Sequence, residues 1–143
     1  MRASLAVILF SVSAAALAAD AGEIKVVRGA AHIERGSERV PAKVGLPIQE
    51  ADRVVTGIDG TVGITFADNS LLSIGPSSTF AIDRYVFDST THAGKFDSTL
   101  SKGTLAVVSG KMVKQSPEAM HVHTPSAVMG VRGTDFVVRI SDH

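Results

Sequence analysis

Residues 51–82 read ADRVVTGIDGTVGITFADNSLLSIGPSSTFAI. Four short apolar runs lie in this stretch, and each stops at a turn signal. ADRVVTG ends at Gly57, GTVGITF runs into ADNS, LLSIG runs into GPSS, and STFAI follows. Asp68-Asn69 can take the positive φ that a tight hairpin turn requires. Gly75-Pro76 breaks a strand, because proline cannot donate to a ladder. Alternation of period two is clearest just beyond, from Thr79 to Val86. There Phe80, Ile82, Arg84 and Val86 are expected on one face, and Thr79, Ala81, Asp83 and Tyr85 on the other.

The same pattern extends in both directions. GEIKVVRG and AAHIERG flank Gly29 on one side; GTLAVVSG, KMVKQS, AMHVHTP and TDFVVRI follow on the other. Thr124-Pro125 is a second proline break. No segment holds a helical period over three turns, and glycine recurs too often for long helices. Strands about ten residues apart with Gly, Asn or Pro turns predict an all-β fold. The expected form is a β-solenoid-like or rolled stack of short strands, with a β-sandwich as the alternative. The expected core is Ile24, Val26, Ile33, Val54, Val62, Ile64, Phe66, Leu72, Ile74, Phe80, Ile82, Leu105, Val107, Val128, Phe136 and Val138. FDST at 87–90 recurs at 96–99, too little for a repeat architecture. The polar segment 88–95, DSTTHAGK, reads as a protruding loop.

The chain of 143 residues suits one domain. Its 14 basic and 14 acidic side chains balance, so charge offers no reason to expect nucleic acid as partner. The absence of cysteine excludes disulfides, thiolate metal sites and cysteine nucleophiles. The start, MRASLAVILFSVSAAALAAD, has Arg2, an apolar centre at 5–10 and small residues up to Ala19. It reads as a helical signal peptide over 1–19, cleaved after Ala18 or Ala19, with Ala21 a further option. The domain is then 20–143. A membrane anchor is the competing reading, but the uncharged stretch Ala3–Ala19 is at the lower limit for a span. No second run of that length follows. The expected location is periplasmic or secreted.

Two stretches resemble the FecR domain family. One is residues 51–82. The other is HVHTPSAVMGVRGTDFVVRI, residues 121–140, whose Thr-Pro and Gly-apolar-Arg-Gly-Thr-x-Phe are the most specific part. With SKGTLAVVSGK the resemblance spans about Gly22 to Ile140. Asp68-Asn69 stands where the family often has Asp-Gly. A signal peptide stands where the family's regulators carry a cytoplasmic anti-sigma segment and a membrane helix. The resemblance implies a non-catalytic periplasmic binding and signalling module. Its implied partners are envelope proteins, such as a TonB-dependent outer-membrane receptor or a regulator. No cofactor is expected. Strand edges would supply the contact, backbone to backbone.

The candidate partner-binding residues are those of the second motif: Thr124, Pro125, Gly130, Arg132, Gly133, Thr134 and Asp135. Gly130 and Gly133 would allow close backbone approach or positive φ. Arg132 would cap carbonyls or pair with an acid such as Asp52; the functional alternative is bidentate recognition of a partner's carboxylate. Asp52, Thr56, Gly57, Asp68, Asn69 and Pro76 read as turn and structural positions. His121 and His123 at i, i+2 would face the same way, a weak metal candidate lacking a third ligand. No G-x-S-x-G elbow or phosphate loop is present. Two further binding classes compete. A carbohydrate or peptidoglycan binder would need exposed aromatics, for which Tyr85, Phe87 and Phe96 are available. A direct iron or ferric-citrate binder would need clustered Arg or His.

Overall fold

The computed structural model describes residues 20–131 and 135–140. The signal-peptide reading therefore falls outside the described residues. The strands are β1 (Asp20–Arg28), β2 (Ala31–Arg35), β3 (Glu38–Pro41), β4 (Pro47–Gln49), β5 (Arg53–Thr56), β6 (Thr61–Phe66) and β7 (Leu71–Ile74). They continue as β8 (Thr79–Phe87), β9 (Gly94–Lys102), β10 (Thr104–Val108), then helix α1 (Lys111–Gln115), β11 (Met120–His123), β12 (Val128–Gly130) and β13 (Asp135–Arg139). No helix among the described residues is long and apolar enough to cross a membrane.

The chain is all-β and forms two sheets. One is six-stranded, ordered β13-β10-β7-β6-β1-β4; the other is seven-stranded, ordered β12-β11-β9-β8-β5-β2-β3. Hairpins alternate between the layers: β2–β3 lies in the larger sheet, β6–β7 in the smaller, β8–β9 in the larger again. The strands thus roll around a single core. Among the described residues only β9 and β11 pair in parallel; every other pairing is antiparallel. That pattern belongs to sandwich-like sheets rather than to stacked solenoid coils.

Three rings bridge the layers. Phe66 on β6 lies 4.7 Å from Phe96 on β9 and 5.4 Å from Tyr85 on β8. Tyr85 meets Phe96 edge-on at 5.0 Å. Ile24, Ile33, Val54, Phe80, Ile82 and Leu105 are fully enclosed in the same core.

Of the expected core, Val26 and Val128 are exposed and Phe136 is only half-buried; Ile48, Phe96, Leu100, Met120 and Val122 are buried outside the expected set, and the faces of β8 differ as well. A register shift between Ile24 and Val26 turns Val26 outward, leaving it 46% exposed. A second shift between Ile82 and Arg84 reverses the faces of β8. Arg84 and Val86 then point to solvent while Tyr85 turns inward. Each extra residue of a bulge exchanges the two sides of a strand. Val128 sits on the edge strand β12, 62% exposed.

KMVKQ, expected as a strand, is helix α1. Its amides go to Asp68: the Lys111 N–H donates to the Asp68 carbonyl at 2.8 Å, and the Met112 N–H to Asp68 Oδ2 at 3.4 Å. Met112 and Val113 are buried while Lys111 and Lys114 face water. Residues 88–93 close on themselves. Asp88 Oδ1 accepts the amides of Thr90 and Thr91 at 2.8 and 3.2 Å, and His92 takes φ +61°. Those two amides hold the Asp88 carboxyl below the usual range.

The join between β4 and β5 rests on an ion pair. Arg35 Nε and Nη2 donate to the two oxygens of Asp52 at 2.9 and 2.8 Å. Asp52 is 1% exposed, and Oδ2 also accepts the Gln49 amide at 2.9 Å. The hydrogen bond to Asp52 raises the Arg35 pKa further above its ordinary value. Asp52 is therefore engaged by Arg35; Arg132 lies outside the described residues. Arg35→Ala would leave a buried carboxylate short of its forked partner. The expected loss is about 2–3 kcal/mol by urea unfolding, with Arg35→Lys recovering only part of it.

Candidate interaction surface

Thr124 and Pro125 form the tip of the β11–β12 hairpin. The Thr124 amide donates to the Ala127 carbonyl at 2.8 Å, and Thr124 Oγ1 accepts the Ala127 amide at 3.1 Å. Gly130 lies on the edge strand β12; its φ is not positive, and a Cβ there would meet nothing within 4 Å. Neither close approach nor left-handed backbone thus explains that glycine. Arg132, Gly133 and Thr134 lie outside the described residues. Asp135 opens β13 and is exposed.

The residues of the first motif hold corners. Thr56 Oγ1 donates to the Gly75 carbonyl at 2.7 Å and accepts the Ser78 amide at 2.9 Å, bracing the turn that contains Pro76. The Gly57 amide donates to the Ala30 carbonyl at 2.8 Å. Asn69 takes φ +68° at the β6–β7 turn. Asp68 is 1% exposed: Oδ2 accepts the Ser70 hydroxyl at 2.8 Å and Oδ1 accepts the Ser70 amide at 3.1 Å. The Tyr85 hydroxyl accepts the Asp68 amide at 3.1 Å and donates to Asp68 Oδ1 at 3.3 Å.

His121 Nδ1 stands 3.5 Å from Asp97 Oδ1, and His123 is in register with Thr99. Among the described residues no group of three or more potential metal ligands gathers. Of the three aromatics that a sugar binder could use, Phe96 is 1% exposed, Tyr85 packs into the ring cluster, and Phe87 is half-buried and stacked on His92 at 6.1 Å.

The two outer faces differ. That of the seven-stranded sheet is laced with charge and polar contacts. Arg53 pairs with Glu34 at 3.7 Å, Arg39 contacts His32 at 3.2 Å, and Thr99 donates to Asp83 at 2.5 Å. Val86 and Val128 are exposed on that sheet as well; the six-stranded sheet carries four exposed apolar side chains, Val26, Leu71, Val108 and Val137, and the Lys25–Glu23 ion pair. Register aligns Val26, Gly63, Ser73, Ala106 and Val137 in one row across five strands. The small residues in the middle floor a shallow groove of about 320 Å³. Leu71 and Val108 form the adjacent row, ending at Asp135. Arg28, Thr61, Thr104 and Arg139 lie on the other side. Alternation along β7 places Leu71 opposite the core residues Leu72 and Ile74. The row itself needed the strand order.

The described residues thus form a two-sheet β domain whose six-stranded sheet shows a row of apolar and small side chains on its outer face. The chain belongs to the FecR family: the model described as FecR protein matches residues 52–143. That span holds β5 to β13, while β1, inside the six-stranded sheet, and β2, beside β5, precede it. Comparison with curated proteins and with solved structures returned no match.

Burial pushes the Tyr85 phenol well above the ordinary tyrosine range, and the charge of Asp68 pushes it the same way. The folded state thus favours the neutral phenol. An unfolded chain releases that proton near pH 10 (roughly), so its stability contribution is complete below that pH and declines above it. At pH 7, Tyr85→Phe is expected to cost about 1 kcal/mol. The gap should narrow above about pH 10, in chemical unfolding curves run at both pH values. A gap independent of pH would refute the burial of this hydroxyl.

Proposed function

We propose that this domain is a non-catalytic binding and signalling module of the bacterial periplasm. It docks other envelope proteins on the outer face of its six-stranded sheet. The FecR family supplies the coarse class, a periplasmic signalling domain. The observation that carries the docking role is the contrast between the two faces. One carries several ion pairs and polar contacts across its strands, with Val86 and Val128 exposed among them; the other leaves Val26, Leu71, Val108 and Val137 in water beside a floor of small residues, with the Lys25–Glu23 pair at one side. Contiguous apolar surface on a folded domain favours protein contact. A flat, small-residue floor accepts the backbone of an extended or helical segment closely.

Residues 1–19 serve as the export signal in this reading, and residues 20–143 as the working module. A TonB-dependent receptor or an envelope regulator is the partner class that the family suggests. Of the motif residues Thr124, Pro125, Gly130, Arg132, Gly133, Thr134 and Asp135, the first three lie at the edge of one sheet and Asp135 opens the edge strand of the other. They are read as the flank of the docking face.

The test is capture from the periplasm with tagged protein, captured chains being identified by mass spectrometry. One envelope receptor or regulator should be enriched. Leu71→Asp with Val108→Asp should abolish its capture, while Arg53→Asp on the opposite face should not. Arg132→Ala should weaken it if the motif flanks the site. Equal capture by the face variants would sink the docking surface. No specific capture at all would sink the protein-binding reading.

A further inference from the structure

Four strands end the two sheets: β13 and β4, β12 and β3. Exposed edges invite pairing, and proteins usually blunt them with short strands, proline or charge. β4 has three residues and begins with Pro47; β3 carries Glu38 and Arg39 and ends at Pro41; β12 has three residues. β13 is different. It has five residues, DFVVR, no proline, and Val137 at its centre, 65% exposed.

Its open side can be read from the ladder with β10. The Ile140 amide donates to the Gly103 carbonyl at 2.9 Å. By alternation Val138 and Phe136 also face β10, so Asp135, Val137 and Arg139 direct their N–H and C=O groups away from it. The same three side chains are exposed, while Val138 is buried. Along this open edge the sequence is acid, valine, base, spaced evenly about Val137. Among the described residues neither Asp135 nor Arg139 has an ion-pair partner.

That order is complementary to itself when reversed. We propose that the chain forms a twofold dimer in which β13 pairs antiparallel with β13 of a second copy, with Val137 on the axis. Val137 then meets Val137 of the second copy, and Asp135 meets Arg139 at both ends. Each of these residue pairs exchanges two backbone hydrogen bonds, and both ion pairs lie on one face. The two six-stranded sheets become continuous. A shift of two residues would place like charges or charge against valine in register, so the charges also set the register. This pairing uses the backbone edge of β13, which borders the face assigned to envelope proteins at Val137; Leu71 lies on that face but on β7, with β10 between it and β13, and takes no part in the edge ladder.

The dimer is tested by sedimentation equilibrium on the protein produced from its whole sequence and purified free of partners. A dimer is expected at tens of micromolar. Asp135→Arg or Arg139→Asp alone should raise the dimer dissociation constant about tenfold, since each sets like charges opposite at two places. The double reversal should return it to near the original value, a rescue that damage to the fold could not give. The chain has no cysteine of its own, so Val137→Cys is a clean probe. Its Cα atoms would lie about 5.5 Å apart across the axis, within disulfide range, and oxidation should give a covalent dimer. Val108→Cys should stay monomeric under the same oxidation. Leu71→Asp should leave the dimer intact, which separates this pairing from envelope-protein docking. A monomer throughout the concentration range, no cross-link through position 137, or no rescue by the double reversal would each overturn the proposal.

Discussion

The carboxylate of Asp68 is buried, and several separate stretches of chain converge on it. The β6–β7 turn closes on it through Ser70, α1 begins against its carbonyl, and Tyr85 reaches it from the opposite sheet. Ser70 extends the network by accepting the Gly110 amide at 3.1 Å. A buried carboxylate is costly unless its oxygens are satisfied, so these segments are held together or not at all. Among the described residues no buried side-chain nitrogen or oxygen lacks a partner. The Tyr85 ring that arrives with the hydroxyl completes the stack with Phe66 and Phe96, which carries the packing between layers. Polar closure and apolar packing are joined in one side chain.

A chain that switches sheets repeatedly must satisfy its backbone at each crossing. Asp52 with Arg35 does this before β5, and Thr56 with Ser78 does it after. Gly103, at φ +94°, lies so close to Ser78 that a Cβ there would collide with its side chain. With the corners braced from within, the outer faces are free to diverge. One sheet places most of its cross-strand charge pairs on its outer face; the other leaves a row of valine and small residues with Leu71 uncovered. The edges diverge in the same way, three of them blunted and β13 open. Face and edge meet at Val137, so one strand serves both the docking surface and the self-pairing.

Much of this was legible before any coordinates. Leu72 and Ile74, Val62 and Ile64, and Phe80 and Ile82 alternate cleanly, and all are buried. The turn at Asp68-Asn69 was legible because few side chains accept positive φ. What failed did so for identifiable reasons. Val26 and Tyr85 lie just beyond bulges, and a bulge has no signature in hydrophobic period. KMVKQ is too short to show a helical period, and its helix exists because Asp68, over forty residues earlier, receives its first amides. Of the candidate site, Asp135 was legible as a motif residue and its place at the start of an edge strand was not. Nor was the partner of Asp52, because arginine at either position 35 or 132 satisfies the same chemistry.

The sequence by itself determined the class: short strands, glycine and proline turns, no cysteine, and the motifs of the FecR family. These are local properties, set by backbone preference and side-chain period over a few residues. Only the tertiary structure decided which strands became neighbours. That choice placed Val26, Gly63, Ser73, Ala106 and Val137 in one row and left β13 at an edge. The physical reason is that strand order depends on long-range pairing, where the free energy comes from burying a shared core and not from any single segment.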